Sequence, residues 1–489
     1  MRLFTNCKIE DNLISIINED RSSKKKKRAK KCEDYYEGRH DILDYKLYYF
    51  NADGQLVEDT TRSNAKISHP FFTELIDQKT SYLLGNAKIY SEDEKLNDEL
   101  QKRFNETFFS NLTDTFEDTS KLGFGYMYAQ LDKELITQFR YAKGLGVVEV
   151  MKEDSDELEA IVYYYLDRID KGKKEITRVE VWDKDQTYYY VIRGRKLEKD
   201  PKKAINPQPH KTWTEATNKG KKTFGEGLGY IPFFRLDNNR KQISDLAPIK
   251  PIIDDYDLMN CGLTNNIQDV SEGFYVVKGF EGDNLNELQQ NIKTKKMVGV
   301  SEDGDVDIKT VDIPYQARKE KLEVDEKNIY RFGMGFNSAQ LGDGNITNIV
   351  IKSRYALLDL KCNKAERRLR PFLSNLIDIA LKEINKTLKT DYTAKDVIIE
   401  LEREVMTNAL DNATIKKTEA EIRQLEINTI LNIATQLPNE KVIKMICEVM
   451  DIDYSEIESE VKAKLEEEKL DLNSASEKLI TDEQTPLTA

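Results

Sequence analysis

At 489 residues the chain is too long for one ordinary core, and about 150 residues per domain suggests roughly three units. Apolar residues make up 39% and charged residues 33%, enough to bury a core beneath an unusually large ionic surface. A formal net charge of -13 argues against a monomer that coats nucleic acid, which would present excess Lys and Arg to phosphates.

No run of about 18 apolar residues occurs, so no membrane segment is expected, and Met1–Lys8 lacks the apolar stretch of a secretion signal, so synthesis in the cytoplasm is expected. Lys24-Lys25-Lys26-Lys27-Arg28-Ala29-Lys30-Lys31 is the one dense basic run. It leads straight into Tyr35–Leu43 within a charged stretch, and a solvated helix face is the better reading than a phosphate site. His69–Leu84 reads as a helix, with Phe72, Leu75, Ile76, Lys79 and Leu83 recurring at three- and four-residue steps before Gly85. A second helix is expected over Glu92–Thr119.

From Gly123 to Arg195 the period changes to two, as in Val179-Glu180-Val181-Trp182 and Tyr188-Tyr189-Tyr190-Val191-Ile192, which predicts an antiparallel meander. Lys199–Gly229, rich in Lys, Pro, Gly and Asn, reads as a long exposed loop, and Trp182 and Trp213 on either side imply no cofactor box. Asp245–Ser271 places Ile249, Ile252, Ile253, Tyr256, Met259, Leu263, Ile267 and Val270 on one helical stripe. A small α/β module follows: a strand at Phe274–Phe280, a helix from Asp283, and a hairpin turning at Asp303-Gly304.

Pro314 opens another helix to Arg331, stopped by Gly333. Here Lys319, Glu323 and Lys327, and likewise Lys321 and Asp325, alternate in sign at four-residue spacing and leave little apolar face. A glycine-rich loop with little apolar surface to anchor it follows, then a helix from Thr347 to Leu388, roughly 60 Å long if continuous, that Pro371 should kink. Short helices are expected at Thr414–Leu437, Glu440–Met450 and Ser455–Glu468, and Asp471–Ala489 is a polar tail.

Catalytic signatures are missing. Five scattered cysteines form no CxxC pair and read as reduced thiols. His40, His69 and His210 are too few and too dispersed for a clustered metal site, and read as ordinary surface or packing residues. Neither GxxxxGK(S/T) nor GxSxG occurs, and Gly225-Glu226-Gly227-Leu228-Gly229 falls short of GxGxxG. Asp254-Asp255 with Asp257 could be imagined as a nuclease metal cluster, but adjacent helical positions diverge, so a solvated face is expected. No metal, cofactor or enzymatic activity is expected. The competing classes are a metal-dependent nucleic-acid-processing enzyme and a helical scaffold or interaction protein.

Three segments then fall in a familiar order: Tyr35-Tyr36-Glu37-Gly38-Arg39-His40-Asp41-Ile42-Leu43; Glu74-Leu75-Ile76-Asp77-Gln78-Lys79-Thr80-Ser81-Tyr82-Leu83-Leu84-Gly85; and Ile231-Pro232-Phe233-Phe234-Arg235-Leu236-Asp237-Asn238-Asn239 with Ser244-Asp245-Leu246 close behind. With the helix, α/β module, helix, glycine loop and long helix that follow, the chain resembles the portal proteins of tailed phages of Gram-positive bacteria, from about Glu19 to Leu388. The resemblance implies a mainly helical α+β portal fold assembled as a cyclic, dodecameric ring. Residues 1–244 would be the wing, 245–271 and 314–332 the stem helices, 272–313 the clip, 333–346 the tunnel loop, 347–389 a kinked wing helix, 390–470 the crown and 471–489 a flexible tail.

It further implies a virion component at the portal vertex of the capsid. Its partners would be double-stranded DNA, a terminase motor, a head–tail adaptor, and capsid and scaffold proteins. Asn337, Ser338, Gln340, Gly342, Asp343, Gly344 and Asn345 would touch DNA in the tunnel loop. Lys319, Lys321, Lys327 and Arg331 would face the stem lumen, while the first stem helix buries its apolar stripe between subunits.

Overall fold

In the computed structural model the described residues are 9–51, 53–132, 134–152, 155, 157–169, 174–217, 220–270, 274–280, 284, 288, 300–309, 314–337, 348–403, 409–452 and 454. The chain divides into two compact units, one of residues 1–341 and 354–404, the other of 342–353 and 405–489.

The first unit begins with α1 (Ile9–Ser22) and α2 (Lys24–Tyr36). Ser23 separates them and caps α2, its hydroxyl accepting from the Lys26 amide at 3.2 Å, the usual way a first-turn N–H finds a partner. α1 lays Leu13, Ile16 and Ile17 on Val150, Val162, Val179 and Val181 of a sheet. That sheet is the expected meander, β6 (Val147–Met151), β7 (Leu158–Ile169), β8 (Lys174–Trp182), β9 (Gln186–Arg193) and β10 (Lys196–Lys199), each antiparallel to the next. The earlier strands stand apart from it: β4 (Phe124–Leu131) and β5 (Thr137–Ala142) join β14 (Phe233–Asp237) in a separate three-stranded sheet.

Lys199–Gly229 is not a bare loop. β11 (Gln208–Pro209) adds to β9, and β12 (Lys211–Thr217) pairs with β13 (Gly220–Glu226) as a hairpin. Trp213 opposite Phe224, with ring centroids 6.0 Å apart, supplies the cross-strand pair that offsets the poor strand propensity of its Lys- and Gly-rich neighbours.

β1 (Tyr48–Phe50) and β2 (Leu56–Glu58) form an antiparallel pair, and α3 (Phe71–Leu84) starts within two residues of its expected position and runs through Gly85 into β3 (Asn86–Tyr90). The long second helix is instead two, α4 (Glu94–Arg103) and α5 (Glu106–Leu122). Asn105 breaks it by capping α5, its side chain accepting from the Phe108 amide at 3.1 Å, because an Asn gains more at an N-cap than in a helix interior. Gly123 closes α5 at φ +97, where a Cβ would lie 2.4 Å from Gln242 O, so both conformation and space demand glycine.

α6 (Lys250–Val270) and α7 (Tyr315–Gly333) pack on each other. The first half of the α6 stripe is already core: Ile249 and Ile253 are buried with Cys32, Tyr35, Phe72, Leu75, Ile76, Ile329 and Tyr330, rather than kept for a neighbouring subunit. Leu258 and Ile267 stay exposed. Between these helices β15 (Phe274–Phe280) pairs with β16 (Val300–Lys309). Asp303-Gly304 is not the hairpin turn; it lies within β16, where the register shifts between Lys278 and Phe280 and Gly279 takes φ +64, a bulge and not a reversal. The helix expected from Asp283 falls largely outside the described residues.

α8 (Asn348–Leu388) runs 41 residues, with Pro371 inside it. Leu358, Cys362, Leu369, Leu373, Leu376, Ile377, Leu381 and Ile384 form a buried face against Leu100, Phe108, Leu112, Phe116, Phe139 and Phe234, and burying each such side chain stabilises by about 1.5–3 kcal/mol. β17 (Ile398–Glu402), a strand where helices were expected, pairs with β3 and ties residues just past 390 into this unit. In the second unit α9 (Ala409–Ile433) packs on α10 (Asn439–Met450). The helix expected at Ser455–Glu468 and the tail from Asp471 lie outside the described residues.

Candidate channel segments

α7 has two unlike faces. One buries Asp325, Ile329, Tyr330 and Gly333 toward α6 and α3: Tyr330 Oη donates to Glu74 Oε2 at 2.6 Å, and its ring meets Phe71 edge-on. The other is exposed and mixed in sign, with Lys319, Glu320, Glu323, Lys327 and Arg331 beside the exposed Tyr315, Val324 and Phe332. Three of the four expected lumen cations thus stand on the free face. Lys321 does not: its ammonium pairs with Asp255 of α6 and with Asp325 one turn on. Burial pulls its pKa down, but the two carboxylates outweigh this and raise it, so it braces the two helices.

The loop after α7 starts docked rather than loose. Met334 ends the helix in the left-handed region at φ 54, and Gly335 follows. A Cβ on Gly333 would come within 2.6 Å of Leu75 Cδ1, and one on Gly335 within 2.0 Å of Leu75 Cδ2. These two glycines therefore serve close packing against α3, not freedom of movement. Phe336 is buried and stacked on Tyr355 with centroids 4.5 Å apart; its N–H donates to Gln78 Oε1 at 2.9 Å and its carbonyl accepts from Gln78 Nε2 at 2.7 Å. Asn337, expected at the duplex, donates to Glu326 Oε1 at 2.8 Å. Ser338, Gln340, Gly342, Asp343, Gly344 and Asn345 lie outside the described residues.

Beneath the loop's start a charge cluster joins the ends of both helices. Lys79, on the core stripe of α3 and 1% exposed, donates to Ser120 Oγ at 2.8 Å, Asn238 Oδ1 at 3.1 Å and Asp245 Oδ2 at 2.9 Å. Asp245, in the lead-in to α6, also accepts from Asn238 Nδ2 at 2.8 Å and sits 3.2 Å from Lys361 Nζ of α8. Lys361 in turn donates to Gly333 O at 2.8 Å, satisfying a terminal carbonyl of α7 where the helix dipole favours a cation. Burial pushes the Asp245 carboxyl up, but Lys361 and Lys79 more than reverse this and hold it well below the usual carboxylate range. Sequence reading placed Lys79 on an apolar stripe without asking why a lysine stood there; that misfit was the available signal.

The aspartates considered for metal binding are not a solvated face. Asp254 takes the Tyr35 hydroxyl and Lys250, Asp255 takes Lys321, and the buried Asp257 faces His40 Nδ1 at 2.6 Å and His69 Nδ1 at 2.7 Å. Burial raises the Asp257 pKa, but the two imidazoles outweigh it and the net shift is downward. Helical divergence does separate the three, and among the described residues no group of His, Cys, Asp and Glu could hold a metal ion. His40 and His69 thus bind this carboxylate rather than idle on a surface, while His210 stacks on Trp182.

The basic run also departs from expectation. Lys26 is buried, with Nζ donating to Gly144 O at 2.8 Å, Leu145 O at 2.9 Å and Val147 O at 2.8 Å, and Lys25 lies 4.1 Å from the Phe124 ring centroid. Burial lowers the Lys26 pKa to about 8 despite Asp20 beside it. The run clamps α2 onto the start of the meander, with Lys24 and Lys27 left to solvent.

Among the described residues no helix is long and apolar enough to cross a membrane. The profile of the family described as phage portal protein, SPP1 Gp6-like, matches residues 17–469. The portal protein of Bacillus phage SPP1 is 29% identical over 363 residues, which are 73% of this chain and 70% of that protein. The portal protein of Clostridium phage phiCD119 is 26% identical over 412 residues, 77% of this chain and 85% of its own. With a match that runs from within α1 through α10 and takes in α6, α7 and the paired strands between them, the chain belongs to the SPP1 Gp6-like family of phage portal proteins.

Proposed function

We propose that this chain is a structural, non-enzymatic channel subunit: copies close into a dodecameric ring at a capsid vertex, through which double-stranded DNA enters during packaging and leaves during ejection. The family match over residues 17–469 carries the reading. In it α6 and α7 are the stem, the β15–β16 pair belongs to the clip that receives the terminase motor and a head–tail adaptor, and capsid and scaffold proteins surround the wing.

The exposed apolar residues of the stem pair, Leu258, Ile267, Val324 and Phe332, support an assembly that covers them. Of the exposed charges of α7, Lys319, Lys327 and Arg331 are the candidates for the channel wall, where a few scattered cations do not hold a phosphate backbone tightly. In this reading Ser338–Asn345 is the part of the tunnel loop that meets DNA, with the segment up to Asn337 as its base.

Electron micrographs of the purified chain test the proposal directly. Closed rings with an axial hole that admits a DNA duplex are expected; a stable monomer under all conditions refutes it. Purified protein should neither hydrolyse ATP nor cut DNA, and ATP turnover abolished by a point substitution in this chain would overturn the non-enzymatic role. Deleting Ser338–Asn345 should leave rings intact and reduce the DNA packaged per capsid; normal packaging by such rings would reduce the loop to a connector.

A further inference from the structure

We infer that Arg318 is one half of a contact between copies of this chain, whose other half is the Glu320–Glu323 edge of α7 on a second copy. The starting observation is a buried donor without an acceptor: Arg318 Nη1 is shielded from solvent and has no hydrogen-bond partner among the described residues. It lies where α7 crosses α6, 3.3 Å from the position a Cβ on Gly262 would take, so the glycine leaves the space that the guanidinium uses. Asp269 lines the same groove, and its carboxylate accepts from the Ser63 amide at 3.2 Å and not from Arg318 Nη1.

A guanidinium keeps its charge at any ordinary pH and offers five donors in a planar fork suited to carboxylate. Buried donors in folded proteins nearly always have an acceptor. A site with this donor and no acceptor is complete only when something brings one. The groove it opens into has a volume of about 310 Å³ and is lined by apolar residues such as Tyr45 and Leu258 together with polar Arg62, Asn265 and Asp269, Tyr45 and Leu258 being exposed. Apolar surface beside a charged contact excludes water from it and so strengthens it.

The complement stands on the same helix. Glu320 and Glu323 are exposed, with Val324 beside them 51% exposed and able to meet the apolar rim. Among the described residues Glu320 accepts from Gln316 Nε2, at 3.1 Å on the surface. At about 100° per residue, Glu320 and Glu323 point roughly 200° and 140° around the helix from Arg318, which is the opposite side. Two complementary patches on opposite sides of one helix cannot meet within a chain. They join head to tail between copies, the type of contact that closes into a ring. This inference rests on the ring reading above and adds the residues that set which side of each copy meets the next.

Charge reversal tests it. Arg318→Glu on one chain, and Glu320→Arg with Glu323→Arg on another, should each give folded protein, by circular dichroism, that no longer forms rings in sedimentation or native mass spectrometry. An equal mixture of the two should recover rings, because each interface again joins opposite charges. If unaltered protein forms no rings, the channel reading itself falls. If unaltered protein forms rings and Arg318→Glu forms them equally well, only this inference falls, as it does if the mixture of folded variants fails to assemble. Should Arg318→Glu not fold, Arg318→Gln takes its place, and the concentration for half-assembly should rise at least tenfold; an unchanged value overturns the inference. Rings unaffected in number and stability but impaired in holding DNA would assign Arg318 to the duplex and overturn it as well.

Discussion

Replacing Asp245 with Asn should be among the most damaging single changes in the first unit, although it removes one charge and no volume. The carboxylate is the shared counter-ion of Lys79 and Lys361, at 2.9 and 3.2 Å, and the Lys79 side chain is 2% exposed. Neutralising it leaves two enclosed ammonium groups facing each other, and removing one partner of a buried pair costs about 3–5 kcal/mol. For a cooperative unit of roughly 400 residues the unfolding entropy is about 0.8 kcal/mol/K, so calorimetry should show the melting temperature of this unit falling by about 4–6 °C. Lys361→Met should cost less, because Asp245 and Lys79 keep each other as partners while Gly333 O loses a donor and Asp245 one of its two cations.

The two effects should be non-additive, since both alter one network. The pH dependence follows from the depressed Asp245 pKa. A carboxyl whose folded value lies below its unfolded value contributes stability that is fully present above the unfolded value of about 3.9 and is lost as pH falls toward the folded one. The gap between unaltered protein and Asp245→Asn should therefore hold at neutral pH and narrow below about pH 4. A melting temperature unchanged to within about 1 °C, or a gap that widens on acidification, would refute the account.

Lys26→Met should strand three carbonyls and cost about 3 kcal/mol, seen as faster amide exchange around Gly144–Val147. Because burial holds the Lys26 pKa at about 8 against 10.5, the unfolded chain binds more protons between those values, so the stability of unaltered protein relative to Lys26→Met should rise over that interval; a flat difference would count against the assignment. Gly335→Ala should lower the urea midpoint by an amount equivalent to about 1–3 kcal/mol through overpacking on Leu75. Adding Leu75→Ala should recover part of that loss, and strictly additive losses would show that the glycine serves something else.

Elements with a strong apolar period were legible. Phe72, Leu75, Ile76 and Leu83 marked α3, the alternating aromatics marked the meander, and Pro314 and Gly333 bounded α7 within a residue. What stayed hidden depended on partners distant in sequence. β17 reads as a short polar-flanked segment and becomes a strand because β3, some 300 residues earlier, offers it an edge. The hairpin of β12 and β13 depends on a single aromatic pair. The break at Asn105 and the bulge at Gly304 are local signals of a kind the period cannot carry, since both leave the surrounding pattern of apolar residues intact. Of the proposed channel residues, the alternating charges of α7 were legible, but which cations are exposed was not: Lys319 and Lys321 look alike until Asp255, on another helix, is known to face one of them.

The buried charges share a logic that links these cases. Lys26, Lys79 and Asp257 each break the rule that Lys and Asp stay at the surface, and each stands where separate elements meet: Lys26 at the junction of α2 with the meander, Lys79 where α3, α5 and α8 converge on the lead-in to α6, and Asp257 where the segment from His40 to His69 closes on α6. An apolar side chain at such a junction would tolerate sliding, because dispersion contacts are non-directional. A buried ion with its partners fixed does not, since moving it strands a charge at several times the cost of a lost methylene. Lys79 and Asp257 therefore hold α6 and the end of α7 in register with the body of the unit, as Lys26 holds α2 on the meander, and the first residues of the loop that follows α7 inherit that fixed position through Gly333 O and Phe336.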